Sequence, residues 1–428
     1  MKTRLAALFA LAGMLLAQAP DPAYVESFEY VWKTVRDKHW DPALGGLDWQ
    51  AVHDELRPRI DKATTNTQAR QIMSEMLQRL HLSHYRILPG LVYEGMGAGS
   101  ATFGGDGETG IDVRLVDGQA VVTSVDPASP AAKAGVAAGW VIQKVDAIDL
   151  APFLKQFLEH NQDSTLRELT VRRAILLRLA GLVGETVTIE FTDWKGWPIK
   201  KTMTHIDPRG RLTSLGFLGP SHVWLDARKV KAEGQTIEYI GFNLFLDPAH
   251  LMTDFADAVQ ACMRCDGFVI DLRGNPGGLG AMATGMASWF VDEKNAFLGT
   301  LLLRETALKF VINPRAETYR GPLAILVDGA SASTAEIMAG GLQDLKRARI
   351  FGSRTAAAAL PSVVEKLPNG DAFQFAIANY VSAGGKELEG NGVTPDVETP
   401  LTRAALIAGK DPAFDAALDW IKQQKAEK

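Results

Sequence analysis

Hydrophobic patterning divides the chain into three stretches. In the first, apolar residues recur every three or four positions: Phe28, Val31, Trp32 and Val35, then Ile72, Met76, Leu77 and Leu80 within Thr64 to Leu82. That period marks one buried face of an α-helix, so residues 20–92 are expected to be a helical domain. From about Gly95 to Ile206 the pattern turns strand-like. Gly110-Ile111-Asp112-Val113 opens a strand, Val121 to Val125 is a second, and Gly139 to Asp146 is a third. A short helix at Ser129 to Gly135, a longer one at Thr170 to Ala180 and a strand at Glu185 to Phe191 complete this middle domain, 95–206. From Asp207 strands and helices alternate: Ile237 to Phe245, Leu251 to Met263, Phe268 to Leu272, Leu323 to Val327, Thr334 to Leu342. Short apolar runs bounded by Gly and Pro read as buried strands. The whole is expected to be an α+β multidomain chain, with residues 207–428 as an α/β domain.

Two strand ends in the last domain run into small residues. Phe268 to Leu272 leads into Arg273-Gly274-Asn275-Pro276-Gly277-Gly278. Leu323 to Val327 leads into Asp328-Gly329-Ala330-Ser331-Ala332-Ser333 and then a helix. Glycines permit close backbone approach and free N–H groups. A serine at a helix N-terminus sits beside unpaired N–H groups that stabilise negative charge. Ser333 with Glu336 also fits a capping box, S-x-x-E, so a cap and a nucleophile are both open readings. Neither turn is a phosphate loop or a dinucleotide fingerprint, since G-K-[ST] and G-x-G-x-x-G are missing. The two ends could meet at the carboxyl edge of one sheet, where α/β sites form.

Composition adds limits. The chain has 428 residues, 46% hydrophobic, with a net charge of −5, which gives no reason to expect nucleic acid as a partner. Lys2 and Arg4, the apolar run Leu5 to Leu16 and the small residues Ala17-Gln18-Ala19 resemble a secretory signal over residues 1–19. The run is short for a membrane span, so a soluble, exported protein is expected, periplasmic or secreted. The two cysteines, Cys262 and Cys265, form a C-M-R-C at the end of a helix. A thioredoxin-type motif opens a helix after a strand, whereas this pair closes one before a strand, and two further zinc ligands are not evident. A local disulfide is possible in an oxidising compartment, and a structural role is the favoured reading.

The S-P-A-x-x-A-G segment from Ser129 and G-x-x-I-x-x-V-D from Gly139 resemble a PDZ domain. Together with D-L-R-G-N-P-G-G from Asp271, S-A-S-T-A-E from Ser331 and G-x-G-V-x-P-D-V from Gly390, the chain resembles the C-terminal processing peptidases and the related tricorn core proteases. The resemblance implies a crotonase-like catalytic core and an exported serine endopeptidase acting on proteins or peptides. It implies Ser333 as nucleophile and an oxyanion hole from the N–H of Thr334 and of Gly277 or Gly278. It implies recognition of substrate C-termini by the PDZ-like domain, at Thr109, Gly110 and Ile111. No metal or organic cofactor is implied.

One departure is large. Where relatives of the lysine type carry G-K-G, this chain reads Thr355-Ala356-Ala357-Ala358-Ala359, with Ala358 at the lysine position and Ala357 where many relatives have glycine. The tricorn branch instead uses a serine–histidine pair before the PDZ region, matched by Ser83-His84, and a glutamate ahead of G-V-x-P-D, near Glu389. Serine needs an adjacent base, and a histidine of ordinary pKa, about 6.5, suits that task. His84 is therefore the expected base, oriented by Ser83 and Glu389, and kcat/KM should rise through about pH 6 to 7. The alternatives are an inactive relative serving as a peptide- or ligand-binding scaffold, motivated by the missing lysine, and a small-ester hydrolase using the same machinery.

Overall fold

The computed structural model describes residues 21–90, 107–162, 164–215 and 218–426. The signal-like segment 1–19 and the start of the middle domain, 95–106, lie outside them. The molecule is a mixed α+β, multidomain chain.

Three helices open it: α1 (Pro22–Lys38), α2 (Trp49–Ile60) and α3 (Asn66–Gln78). Each begins where a side chain satisfies an orphan N–H. Asp21 accepts from Ala23, Asp48 from Ala51 and Thr65 from Gln68. Phe28, Val31, Leu56, Met73 and Met76 from their inner faces are fully buried together. The helices do not close this core alone. Leu367, Phe373 and Phe375 enter it from a hairpin of Ser362–Lys366 and Ala372–Ala376, which also pairs with Arg86–Leu88. Arg70 grips the buried Asp371 with two nitrogens, at 3.1 and 2.9 Å. The helical segment is contiguous in sequence, but its hydrophobic core draws on Leu367, Phe373 and Phe375, and its ion pair with Asp371 spans 301 positions.

The middle unit is a twisted antiparallel sheet in the order Ile111–Val116, Gln119–Val125, Val141–Val145, Thr186–Thr192, Pro198–Thr204. Helix α4 (Arg167–Leu179) packs Val171, Ile175 and Leu179 against Ile111, Val113 and Ile189. A second helix, Leu150–His160, occupies the stretch between the third strand and α4.

The last unit is built on a six-stranded sheet ordered β1 (Leu225–Ala232), β2 (Gln235–Phe242), β3 (Gly267–Asp271), β4 (Leu323–Val327), β5 (Arg349–Gly352), β6 (Val397–Glu398). Only β1 runs antiparallel to its neighbour. Strand alternation sends Phe268 and Ile270 to one face and Val269 to the other. Helices α5 (His250–Gln260) and α6 (Thr334–Asp344) cover the first face, and α7 (Pro412–Ala426) covers the second. Both faces are buried, so the central strands read as unbroken apolar runs. Because β3 and β4 are parallel neighbours, their carboxyl ends, and the two small-residue turns that follow, lie side by side.

Phe373 is fully buried where the first and last units meet. Phe373→Ala is expected to lower the unfolding free energy by about 3–5 kcal/mol, read as a shift in the denaturant midpoint with an unchanged slope.

Candidate active site

The chain leaves β4 at Val327 and turns sharply. Ser333 holds φ 55° and ψ −120°, a conformation that costs a residue with a Cβ on the order of 1–3 kcal/mol. Hydrogen bonds hold it there. Ser333 N–H donates to the Ala358 carbonyl at 2.9 Å and to the Glu336 carboxylate at 2.9 Å. The S-x-x-E capping arrangement is thus present in the same residue as the strained turn. Ser331 has a different task. Its hydroxyl donates to Leu272 O at 2.7 Å and receives Asp328 N–H at 3.0 Å, tying the β4 turn to the end of β3.

The glycine turn closes against this elbow through Asn275, which is fully buried. Asn275 O receives Ala332 N–H at 3.0 Å, its Nδ2 donates to Phe242 O at 2.9 Å, and its Oδ1 receives Gly277 N–H at 2.9 Å. Gly277 N–H is therefore already engaged, and of the two expected oxyanion donors on this turn Gly278 is the one the geometry favours. Gly277 instead supplies closeness. Its φ is 96°, and a Cβ there would lie 2.7 Å from Ser333 Cβ and 2.8 Å from Thr334 N. Thr334 Oγ1 donates to Gly278 O at 2.8 Å, which fixes the two expected oxyanion contributors to one another.

Glu336 is completely buried and gathers the segment that lacks the lysine. Its carboxylate accepts from Thr355 Oγ1 at 2.5 Å, Ala357 N–H at 2.8 Å and Ala358 N–H at 2.9 Å, besides Ser333 N–H. Burial pushes its carboxyl up to about 7, against these donated hydrogen bonds. Ala357 sits at φ 57°, a left-handed conformation that favours glycine. Ala358 is 2% exposed and Ala359 is 1% exposed.

His84 also has positive φ, 62°, in a turn before the strand Arg86–Leu88 rather than at a helix end. Its Nδ1 lies 2.6 Å from Ser83 Oγ. Ser83 Oγ donates to Glu389 Oε2 at 2.9 Å, and Ser83 N–H donates to Glu389 Oε1 at 2.6 Å. The same Glu389 Oε2 receives Ala359 N–H at 3.0 Å. Ala358 O meets Ser333, and the next N–H meets Glu389. One peptide unit therefore links the elbow to the Glu389–Ser83–His84 chain. Burial, and then the charges of Arg86 and Arg173, press the His84 imidazole down to about 3. This corrects the expectation of an ordinary histidine titrating near 6.5.

The middle unit reaches the same loops. Arg114 Nε donates to Asp328 Oδ2 at 2.6 Å, and Asp328 Oδ1 receives Gly274 N–H at 2.8 Å. Arg172, on α4, donates to Gly274 O at 3.2 Å and to Asp112 at 2.9 Å. Burial would raise the Asp328 carboxyl, but Arg114 and Gly274 N–H outweigh it and hold it below the usual carboxylate range. The expected peptide-end loop lies on the same sheet. Gly110 has φ 78°, and a Cβ there would fall 2.1 Å from Ser129 Cβ. Thr109 O and Gly110 O receive Ala131 N–H and Asp126 N–H at 3.0 and 2.9 Å. Ile111 begins the strand, paired with Val125.

Sequence reading missed Asn275, Glu336 as a clamp, and the Arg114–Asp328 contact. Asn275 stands inside the quoted D-L-R-G-N-P-G-G, and an asparagine in a turn that must bind backbone was the available signal. Nothing local announces that Arg114 meets a residue 214 positions later.

Comparisons with known proteins agree with this geometry. Residues 236–399 match the profile of Peptidase family S41, and residues 20–78 match the Tricorn protease C1 domain. The carboxyl-terminal-processing protease of Picosynechococcus sp. is 25% identical over 413 residues, covering 92% of this chain and 88% of that protein. The protein of the same name in Synechocystis sp. is 27% identical over 400 residues, covering 91% and 85%. The photosystem II D1 C-terminal processing protease has a similar fold, with a TM-score of 0.60, 21% identity and coverage of 90% and 94%. The crystal structure of the tricorn protease aligns with a TM-score of 0.52 at 16% identity, over 94% of this chain and 37% of that one. The protein is a serine-type peptidase. It carries an S41 peptidase domain and a tricorn protease C1 domain in one chain, and is similar over most of its length to the C-terminal processing proteases.

Gly277→Ala is expected to cut kcat on a peptide substrate by about a hundredfold or more, comparable with loss of an oxyanion donor, because the new methyl would displace Ser333 or Thr334. Steady-state turnover of the folded variant checks this.

Proposed function

We propose that the protein is an exported serine endopeptidase of the serine–histidine type. Ser333 is the nucleophile, His84 the base, and Ser83 with Glu389 orients the imidazole. The supporting observation is the unbroken hydrogen-bonded series from Glu389 through Ser83 to His84, joined to the elbow at Ala358 and Ala359. The Ser83 hydroxyl has one proton, and it is directed to Glu389. The short contact with His84 Nδ1 then carries the imidazole proton, which leaves Nε2 bare to accept one.

In the reaction Ser333 Oγ adds to the scissile carbonyl while His84 Nε2 takes its proton. The tetrahedral oxyanion is received by Thr334 N–H and Gly278 N–H, which are fixed in place before the charge develops. His84 then returns the proton to the leaving amine, and water repeats the sequence on the acyl-enzyme. The middle unit, an antiparallel sheet packed against α4, resembles a PDZ domain in sequence, and on that resemblance we assign it the recognition of substrate C-termini near Thr109, Gly110 and Ile111. Among the described residues no helix is long and apolar enough to cross a membrane, and export rests on the signal-like residues 1–19.

Ser333→Ala and His84→Ala should each lower kcat on unfolded protein substrates by about 10³-fold or more. Normal turnover in either variant removes that residue from its role. With the imidazole held at about 3, His84 is neutral throughout the ordinary range. The acid limb of kcat/KM should lie well below pH 6. A limb at 6 to 7 would show a normal histidine, and one above 8 would point to a lysine elsewhere. The same shift acts on stability: between about pH 6.5 and 3 the unfolded imidazole binds a proton that the folded one refuses. The His84 contribution is complete above that window and is lost as pH falls through it. Denaturant unfolding of wild type and His84→Gln across the window measures the difference.

A further inference from the structure

At the opposite edge of the core sheet, near the amino ends of β3 and β4, Cys262 and Cys265 form a disulfide. Cys262 is 1% exposed, whereas Cys265 is half-buried. Glu238 faces them from β2. It is 3% exposed, and its Oε2 has no hydrogen-bond partner among the described residues. Its carboxylate oxygen and both sulfurs lie within 4.8 Å of one another. Lys229, opposite Glu238 in the strand pairing, donates to Ala261 O at 3.1 Å, one residue before Cys262. Tyr319 donates to Cys265 O at 3.1 Å, and Asp266 is turned to Thr236 N–H at 2.8 Å.

A disulfide that only staples a turn gains nothing from a buried carboxyl beside it. Leaving such a group without a partner costs on the order of 1–3 kcal/mol, and an apolar side chain of similar size would fill the space at no such cost. A carboxyl group held against two sulfurs has a use in thiol chemistry. Exchange expels a thiolate, and a thiolate formed in a buried position needs a proton. Burial, opposed by Lys229, holds the Glu238 carboxyl above its usual range.

We propose that Cys262–Cys265 is a thiol–disulfide exchange site, with Glu238 carrying the proton for the buried sulfur and a dithiol as the reductant. A thiolate of the dithiol attacks Sγ of Cys265, the less buried cysteine. A new sulfur–sulfur bond forms there, the Cys262–Cys265 bond breaks, and the electron pair leaves on Cys262 Sγ, which takes the Glu238 proton. The second thiolate of the dithiol then attacks its own sulfur in the mixed disulfide, and Cys265 leaves and is protonated by water. The protein gains two electrons and two protons, the dithiol becomes a cyclic disulfide, and Glu238 recovers its proton from solvent. The position of this cluster, away from Ser333, keeps it outside the peptidase machinery.

The test uses the full-length oxidised protein. Dithiothreitol is added at fixed pH, and the free thiols are trapped with a maleimide over time. Wild type should be reduced without loss of its circular dichroism, and Glu238→Gln about tenfold more slowly, a modest share of what a placed proton donor can contribute. Equal rates, or reduction only on unfolding, overturn the proposal. Should Glu238→Gln fail to fold, wild type decides the matter: glutathione should leave its mixed disulfide on Cys265 in peptide mapping, and finding it on Cys262 would refute the order of attack. Reduced wild type that binds one zinc ion, lost in Glu238→Gln, would make the carboxylate a ligand and also overturn the proton role.

Discussion

The site depends on one buried carboxylate. Glu336 accepts from Ser333, Thr355, Ala357 and Ala358. Two of these, Ser333 and Ala357, have positive φ. Left-handed backbone is unfavourable at residues with a Cβ, and it persists only where the surroundings over-determine it. Glu336 provides that over-determination from the first turn of the helix that Ser333 caps. When ionised its charge sits at the helix N-terminus, where the macrodipole supports it, and the charge-assisted hydrogen bonds of that form are stronger than neutral ones. Ser333 and the Ala357–Ala358 segment thus share a single anchor.

A second constraint is the way distant segments complete one another's cores. The N-terminal helices present an apolar face that Phe373 and Phe375 cover. This brings Ser83 and His84, in the turn that follows those helices, to the Glu389 region. The middle unit is joined by charge instead. Arg114 and Arg172 reach the loops after β3 and β4, so the middle unit is tied to Gly274 and Asp328. Buried ion pairs of this kind are costly to break singly, which makes the joint stiff.

The sequence was most legible where chemistry is compressed into a few adjacent residues. The β4 strand, the elbow, the glycine turn and the Ser83-His84 pair could all be read, because strand ends, small residues and a capping box are local signals. Element positions in the middle domain were legible for the same reason: its turns are marked by glycine and its strands by alternation. What could not be read depends on distance or on solvent. The filling of the helical core by residues 367–375 follows from no periodicity in either segment. The use of Gly277 N–H by Asn275 depends on how a turn is wound. The depressed basicity of His84 comes from burial and from two arginines, one of them on α4. Glu238 stands 24 positions before Cys262 in the chain and beside it in space.

The hydrogen bond between Ser83 and Glu389 spans 306 residues. Contacts of such separation form late, since the chain must first surrender the freedom of everything between. A ribosome or translocation pore releases the amino end first, so Ser83 and His84 emerge long before Glu389. The elbow likewise waits for Ala358. The chain in transit therefore carries the parts of a peptidase without their arrangement. Closure by its carboxyl-terminal third is the step that assembles the Glu389–Ser83–His84 series.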